Sequence, residues 1–347
     1  MPAAALIQVI AAELALAPAQ VAATLALFGE GNTLPFVARY RKEATGGLDE
    51  VQLRDVRDRA AYLTELEERR AAILASVAEQ GKLDAALKAR IESADTKQAL
   101  EDLYLPYKPK RRTRATIARE RGLEPLAELI WAGAASDAEV AAAAPAYVSA
   151  EREVADADAA LQGARDILAE RVAEDADLRG WVRDLTRRGG TVRSQALHGK
   201  EKEVSKFQDY YAFSQSLADI PSHRMLAIRR GEAEGFLLWT VEGPAEEIVA
   251  GLTRRVAGKR AAVGQLALVA QDAHKRLIVP SVVAELRLEL KTRADEEAIA
   301  IFGRNLEQLL LAAPAGEQVV LGLDPGFRTG VKMTCISRTG AVLETDT

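Results

Sequence analysis

The segment EVQLRDVRDRAAYLTELEERRAAILASVAEQ (Glu50–Gln80) runs without a glycine or a proline. Val51, Leu53, Val56, Ala60, Leu63, Leu66, Ile73, Leu74 and Val77 recur at helical spacing. Asp49 stands where an N-cap carboxylate accepts backbone N–H groups, and Gly81 where a left-handed C-terminal stop is favoured. The segment predicts a helix of about 45 Å at 1.5 Å per residue, long enough to act as a strut between domains. Alanine, the best helix former, is abundant elsewhere too. A mainly α, multi-helix fold with long strut helices and few short strands is expected.

On the N-terminal side, residues 3–16 read as a first helix, and Pro18 opens a second that runs to about Phe28. Gly29–Gly47, with four glycines and Pro35, reads as short turns or helices joined by tight loops. On the C-terminal side, helices are expected near 83–92, 95–103, 124–132, 137–149, 154–173 and 175–188, the last ended by Gly189 and Gly190. TVRSQAL (Thr191–Leu197) and FLLWTVE (Phe236–Glu242) read as strands. Pro244 and two glutamates open another helix. Pro280 to about Ala313 reads as a second long helix, with Val282, Leu286, Leu290, Ile299, Phe302, Leu306 and Leu309 on one side. The final residues, Glu317–Thr347, read as a strand–turn–strand–turn–strand meander with turns at DPG and RTG. Three parts are expected: a helical region over 1–190, a second mostly helical region over 191–316, and 317–347. The last is too small for a stable sheet domain alone, so the chain is expected to be a fragment cut inside a domain.

The chain has 347 residues, 48% of them hydrophobic, which excludes wholesale disorder. Basic residues number 46 against 51 acidic, for a net charge of −5, so a globally basic nucleic-acid binder is excluded and any such binding must come from a local patch. A single cysteine, Cys335, excludes an internal disulfide framework and a cysteine-based zinc site. His198, His223 and His274 lie too far apart to suggest a local ligand pair; no metal or cofactor is expected. Charge interrupts every apolar stretch before 18 residues, and MPAAALIQVIAAELAL lacks the basic start of a signal peptide. No membrane partner is expected, and the cytoplasm is the expected location.

Lys108, Lys110, Arg111, Arg112, Arg114, Arg119 and Arg121 put seven positive charges into fourteen residues, with Glu120 the only acid among them and Tyr104 and Tyr107 beside them. A proline-stiffened loop of this kind presents several cations to phosphates at once, and the tyrosines offer stacking faces for unpaired bases. The alternative is a solvated loop whose arginines pair with the chain's many carboxylates. Arg39, Arg41 and Lys42 precede Gly46 and Gly47, which suits either a phosphate approached by backbone N–H groups or a plain turn into the long helix, with the arginines tying helices together. Residues 154–188 read as a helix-turn-helix-like pair, with AEDAD as the turn. Arg179, Arg183 and Arg187 share one face of its second helix, facing either phosphate or solvent, with Asp156, Asp158, Asp166 and Glu170 as ready partners. Asp324, after a hydrophobic strand, is a candidate vestigial metal carboxylate or the cap of the turn before Pro325. His223 is expected to make a structural hydrogen bond in the first turn of a helix after Pro221. Cys335, Trp131, Trp181 and Trp239 read as core.

ARYRKEATGGLDE (Ala38–Glu50), DLYLPYKPKRRTRATIARERGLEPLA (Asp102–Ala127), IPSHRMLAIRRGE (Ile220–Glu232) and LGLDPGFRTGVK (Leu321–Lys332) together resemble the bacterial transcription accessory family Tex, in the family's order. The resemblance implies a helical N-terminal region with a helix-turn-helix, then the opening strands of a YqgF-type RNase H-like domain. The helix-hairpin-helix modules and the OB fold of that family have no counterpart in these residues. The family's RNase H-like domain is generally regarded as lacking nuclease activity. A non-catalytic scaffold is therefore expected, binding RNA or DNA, single-stranded by preference, and acting with RNA polymerase. The alternatives are a metal-dependent nuclease or resolvase using Asp324, and a protein-docking module that never touches nucleic acid.

Overall fold

Helices α1 (Ala3–Leu14) and α2 (Pro18–Gly29) open the chain, with Pro18 at the first helical position, where no N–H is needed. The computed structural model describes residues 3–313, 316–326 and 330–347. After α3 (Leu34–Tyr40) the chain turns on Gly46 and Gly47, both left-handed with φ of +66° and +85°, and enters α4 (Glu50–Glu79). Asp49 accepts from the Gln52 N–H at 2.8 Å while the Gln52 side chain accepts from the Asp49 N–H at 3.0 Å, so two orphan donors are satisfied reciprocally. Helices α5 (Ala85–Ser93) and α6 (Lys97–Tyr104) pack back along α4. Ile10, Val21, Val56, Leu63, Ile73, Ile91 and Leu100 form the core of this N-terminal unit.

Beyond the basic loop lie α7 (Arg114–Glu120), α8 (Glu124–Ala132) and α9 (Asp137–Ala143), then α10 (Ala157–Ala173) and α11 (Ala176–Gly189). The central core gathers around α10, whose Leu161, Ala164, Ile167, Leu168 and Val172 are all buried. Gly163 lets α10 approach so closely that an added Cβ would lie 2.3 Å from Leu123 Cδ1. This core extends without a break from Ala115 to Ala294, across Gly189–Gly190. The apolar clusters therefore part at the basic loop, and the boundary expected at 190 does not coincide with a division of the core.

Strands β1 (Thr191–Ala196), β2 (Ala212–Ser216) and β3 (Leu237–Glu242) form an antiparallel sheet in the order β2-β1-β3, with α12 (Ser222–Ala233) between β2 and β3. After α13 (Ala245–Ala257), α14 (Val263–Asp272) runs through a π turn (Ala273–Ile278) into α15 (Val279–Leu310), making 48 continuous helical residues. Pro280 explains the π turn: it lacks an N–H, its ring crowds the preceding carbonyls, and the helix widens just before it. The second long helix thus starts earlier than its apolar pattern suggests. Only its first half is buried, at Val282, Leu286, Leu290 and Ala294, whereas Ile299, Phe302 and Leu309 are each about two-thirds exposed or more.

The chain closes with β4 (Val320–Gly326), β5 (Gly330–Ile336) and β6 (Val342–Asp346), antiparallel in that order. The Asp324-Pro325-Gly326 turn is corrected here: β4 continues through these residues, with Asp324 opposite Lys332. Pro325 is tolerated because β4 is an edge strand, so the turn-cap reading of Asp324 falls. Arg328 and Thr329 of the first RTG lie outside the described residues. The second RTG does turn, with Gly340 at φ +81° donating to the Ser337 carbonyl at 3.0 Å. Cys335 is half-buried on β5, not in a core. Among the described residues no single helix is long and apolar enough to cross a membrane.

Candidate nucleic-acid interface

The basic loop leaves α6 through a single 3-10 turn (Leu105–Tyr107) and ends at Thr113, whose hydroxyl caps α7 by accepting from the Thr116 N–H at 3.0 Å. Prolines at 106 and 109 keep it out of a helix. The seven cations of the loop and of α7 behind it divide into two groups. Lys110 is held by Glu174 and lies 3.8 Å from Glu170. Arg119 reaches Glu170 at 2.9 Å, Arg112 reaches Glu120 at 2.6 Å, and Arg121 reaches Glu153 at 2.6 Å. Burial pushes the Glu174 carboxyl pKa up, with the Lys110 hydrogen bond opposing it. Arg121 holds the exposed Glu153 carboxyl below its ordinary value. Lys108, Arg111 and Arg114 are exposed, and among the described residues their side chains make no hydrogen bond or ion pair.

The tyrosines divide as well. Tyr104 is buried in the N-terminal core, with its hydroxyl 3.0 Å from Ser76 Oγ, so it offers no stacking face. Tyr107 is half-buried against the same core, and its carbonyl accepts from Gln80 Nε2 at 2.9 Å.

The glycine pair before α4 is a turn. Gly46 is pinned by Gln20, whose amide donates to its carbonyl at 3.0 Å. Arg39, Arg41 and Lys42 are exposed. Arg41 lies over the Phe36 ring at 5.3 Å and donates to the Tyr40 carbonyl at 3.1 Å. None of the three pairs with a carboxylate among the described residues, so they do not tie helices together.

The helix-turn-helix-like pair exists as α10 and α11, with Asp175 capping α11 by accepting from the Asp177 and Leu178 N–H groups at 2.9 Å. Its arginine face, however, points inward, which corrects both readings of that face as outward. Arg179 is buried, bonded to Asp102 at 2.8 Å and Glu285 at 3.1 Å; Arg183 bonds the same two carboxylates at 2.7 Å each. Burial works against the Arg183 charge, but hydrogen bonds to Glu285 and Asp102 outweigh it and raise its pKa. Arg187, at the open end, pairs with Glu289 at 3.0 Å and Asp184 at 2.7 Å. Apart from Asp184 on α11 itself, the partners come from α6 and α15. Asp156 caps α10 instead, Asp166 pairs with Arg276 at 3.2 Å, and Glu170 serves the basic loop. This four-residue cluster joins the N-terminal unit to the central core. Asp102, its hub, carried no signal in the sequence beyond standing just before the basic loop.

Asp324 is exposed on β4, and among the described residues no three His, Cys, Asp or Glu side chains cluster as a metal site would. His198 is exposed, 3.6 Å from Glu201, and His223 is exposed without the expected hydrogen bond. Trp239 is buried and its Nε1 donates to Glu232 at 2.8 Å. Trp131 and Trp181 are only partly buried, under the guanidinium groups of Arg260 at 4.4 Å and Arg255 at 3.9 Å.

A family profile described as "Tex-like protein N-terminal domain" matches residues 4–78, and one described as "Tex central region-like" matches 135–302. The chain is 47% identical over 356 residues to "Protein YhgF" of Escherichia coli K12, and 45% identical over 349 residues to "Transcriptional accessory protein Tex" of Neisseria gonorrhoeae. These alignments cover 98% and 97% of the chain and 45% of each relative. The human "S1 RNA-binding domain-containing protein 1" is 30% identical over 360 residues, 98% of this chain and 35% of that protein. The chain thus spans about 45% of the length of its bacterial relatives. Two family profiles in their order, on a helical frame built as the four quoted segments imply, place the chain in the Tex family over its N-terminal and central regions.

Proposed function

We propose that this chain is the helical, non-catalytic part of a transcription accessory factor, and that it holds the backbone of single-stranded RNA or DNA. Lys108, Arg111 and Arg114 make the primary contacts, and Arg39, Arg41 and Lys42 a secondary phosphate site. Tyr107 borders the first set. The observation that carries this reading is the division within the basic loop. Its other cations are neutralised by named carboxylates, while these three stay exposed and make no ion pair or hydrogen bond among the described residues. Cations free of internal partners are the ones that release counterions when phosphate binds. The names of the relatives support the setting, transcription for one and RNA binding for another. A role beside RNA polymerase in the cytoplasm is part of the proposal.

Fluorescence anisotropy with a single-stranded RNA, repeated across a salt series, tests it. Binding with a negative log–log salt slope is expected, shallower in Lys108→Ala/Arg111→Ala/Arg114→Ala. Absence of binding at low salt would favour protein docking. That reading draws on the exposed apolar stripe of Ile299, Phe302, Leu306 and Leu309. Cleavage of RNA or DNA in magnesium by the full-length protein, lost on Asp324→Asn, would overturn the non-catalytic part.

A further inference from the structure

A cavity of about 530 Å³ lies between α11, β3, α13 and the π turn, away from the basic loop. Val182, Ile248, Val279 and Val282 give it apolar walls. His274 lines it from the π turn. The residue is only 7% exposed, and its ring makes no hydrogen bond or ion pair among the described residues. The ring nitrogens are unpaired yet not sealed from solvent, so they are free to bond a ligand that enters the cavity. Desolvation holds its pKa below the ordinary value, so it presents one N–H donor to the cavity at neutral pH. Lys275, the next residue, also lines the cavity, is exposed, and has no carboxylate partner among the described residues. Glu242, the one acid in the lining, is already held by Arg193 at 2.9 Å. π turns recur at functional sites because they aim side chains that a regular helix would not.

We propose that this cavity binds a small aliphatic monocarboxylate, its hydrocarbon against Val182, Ile248 and Val282 and its carboxylate held by His274 and Lys275. An apolar interior with a donor and an unpaired cation at its polar end matches that class. A neutral apolar ligand would leave the His274 N–H without an acceptor, and a dianion would place a second charge against valines.

The probe is sodium octanoate, titrated below its micellar range into the chain while its own line widths and, where present, the His274 ring signals are followed by NMR. A single saturable shift is expected. His274→Ala and Lys275→Ala should each weaken binding about tenfold, the scale of one hydrogen bond to a charged group. 1-Octanol should bind at least about tenfold more weakly than octanoate, by the same reasoning. Val283→Trp, which fills the cavity from its half-buried edge, should abolish binding. Because that variant risks the fold, the exposed Lys275→Ala and the octanol comparison stand as independent checks. No saturable shift, equal affinity for octanoate and octanol, or undiminished binding in both His274→Ala and Lys275→Ala would each overturn the proposal.

Discussion

The arginine face of α11 and the basic loop look alike as sequence, yet they occupy opposite situations. Arg179, Arg183 and Arg187 keep their helical spacing and point into the molecule, toward Asp102, Glu285 and Glu289. Lys108 and Arg111 in the loop and Arg114 at the start of α7 are exposed and make no ion pair among the described residues; Arg114 feels Asp166 only at longer range. Periodicity says which residues share a face. It does not say whether that face meets water, phosphate or another helix. That is settled by residues far away, here 77 to 106 positions along the chain.

The contrast breaks most visibly at the buried hub. Arg179→Ala leaves Asp102 buried beside one remaining arginine, and losing one partner of a buried pair costs about 3–5 kcal/mol. Urea denaturation should show that loss with the RNA salt slope unchanged; a stable variant with weakened RNA binding would reverse the assignment of the two regions. Next in size is the helix contact beneath the loop. Gly163→Val pushes into Leu123, and overpacking of this kind costs about 1–3 kcal/mol, read in the same denaturation experiment. At the open end of the arginine face, Arg187→Ala should cost less than about 1 kcal/mol, because its pairs are half-exposed and screened. A gradient from Arg179 to Arg187 along one helix is therefore expected, and equal losses at both ends would contradict the burial account.

The smallest effect is a pH dependence at His274. Its folded pKa lies below the ordinary 6.5, so on acidification the unfolded chain takes up the proton first. Stability should therefore fall as pH drops below about 6.5, down toward the depressed folded value. His274→Gln should flatten that part of the profile, and an unchanged profile would mean that the imidazole is not desolvated.

Much of the architecture was legible locally. Asp49, Gln52 and the apolar spacing of Glu50–Gln80 define α4 within a residue of its observed end, because capping and amphipathicity are short-range. The strands β1 and β3 and the start of α13 were equally readable. β2 was missed because AFSQS carries no strong alternation, and the DPG turn was misplaced because an edge strand accepts the proline that usually ends one. The apolar pattern of α15 was continuous, yet burial stopped at Ala294, since pattern alone does not supply a partner surface. Of the candidate site, the basic loop was visible as composition. The sorting of its cations into paired and free was not, because Glu153, Glu170 and Glu174 reach it only through folding. His274 looked isolated, and Pro280, which widens the helix around it, was the only signal at hand.

The most direct test sets the free cations against the paired ones. In single-stranded RNA binding, Lys108→Ala/Arg111→Ala/Arg114→Ala should lower the log–log salt slope by about 2, from three phosphate contacts at about 0.7 each. Lys110→Ala/Arg112→Ala/Arg119→Ala should leave that slope in place, even if the freed carboxylates reduce affinity. A slope carried by the paired set, with the free set silent, would contradict the account.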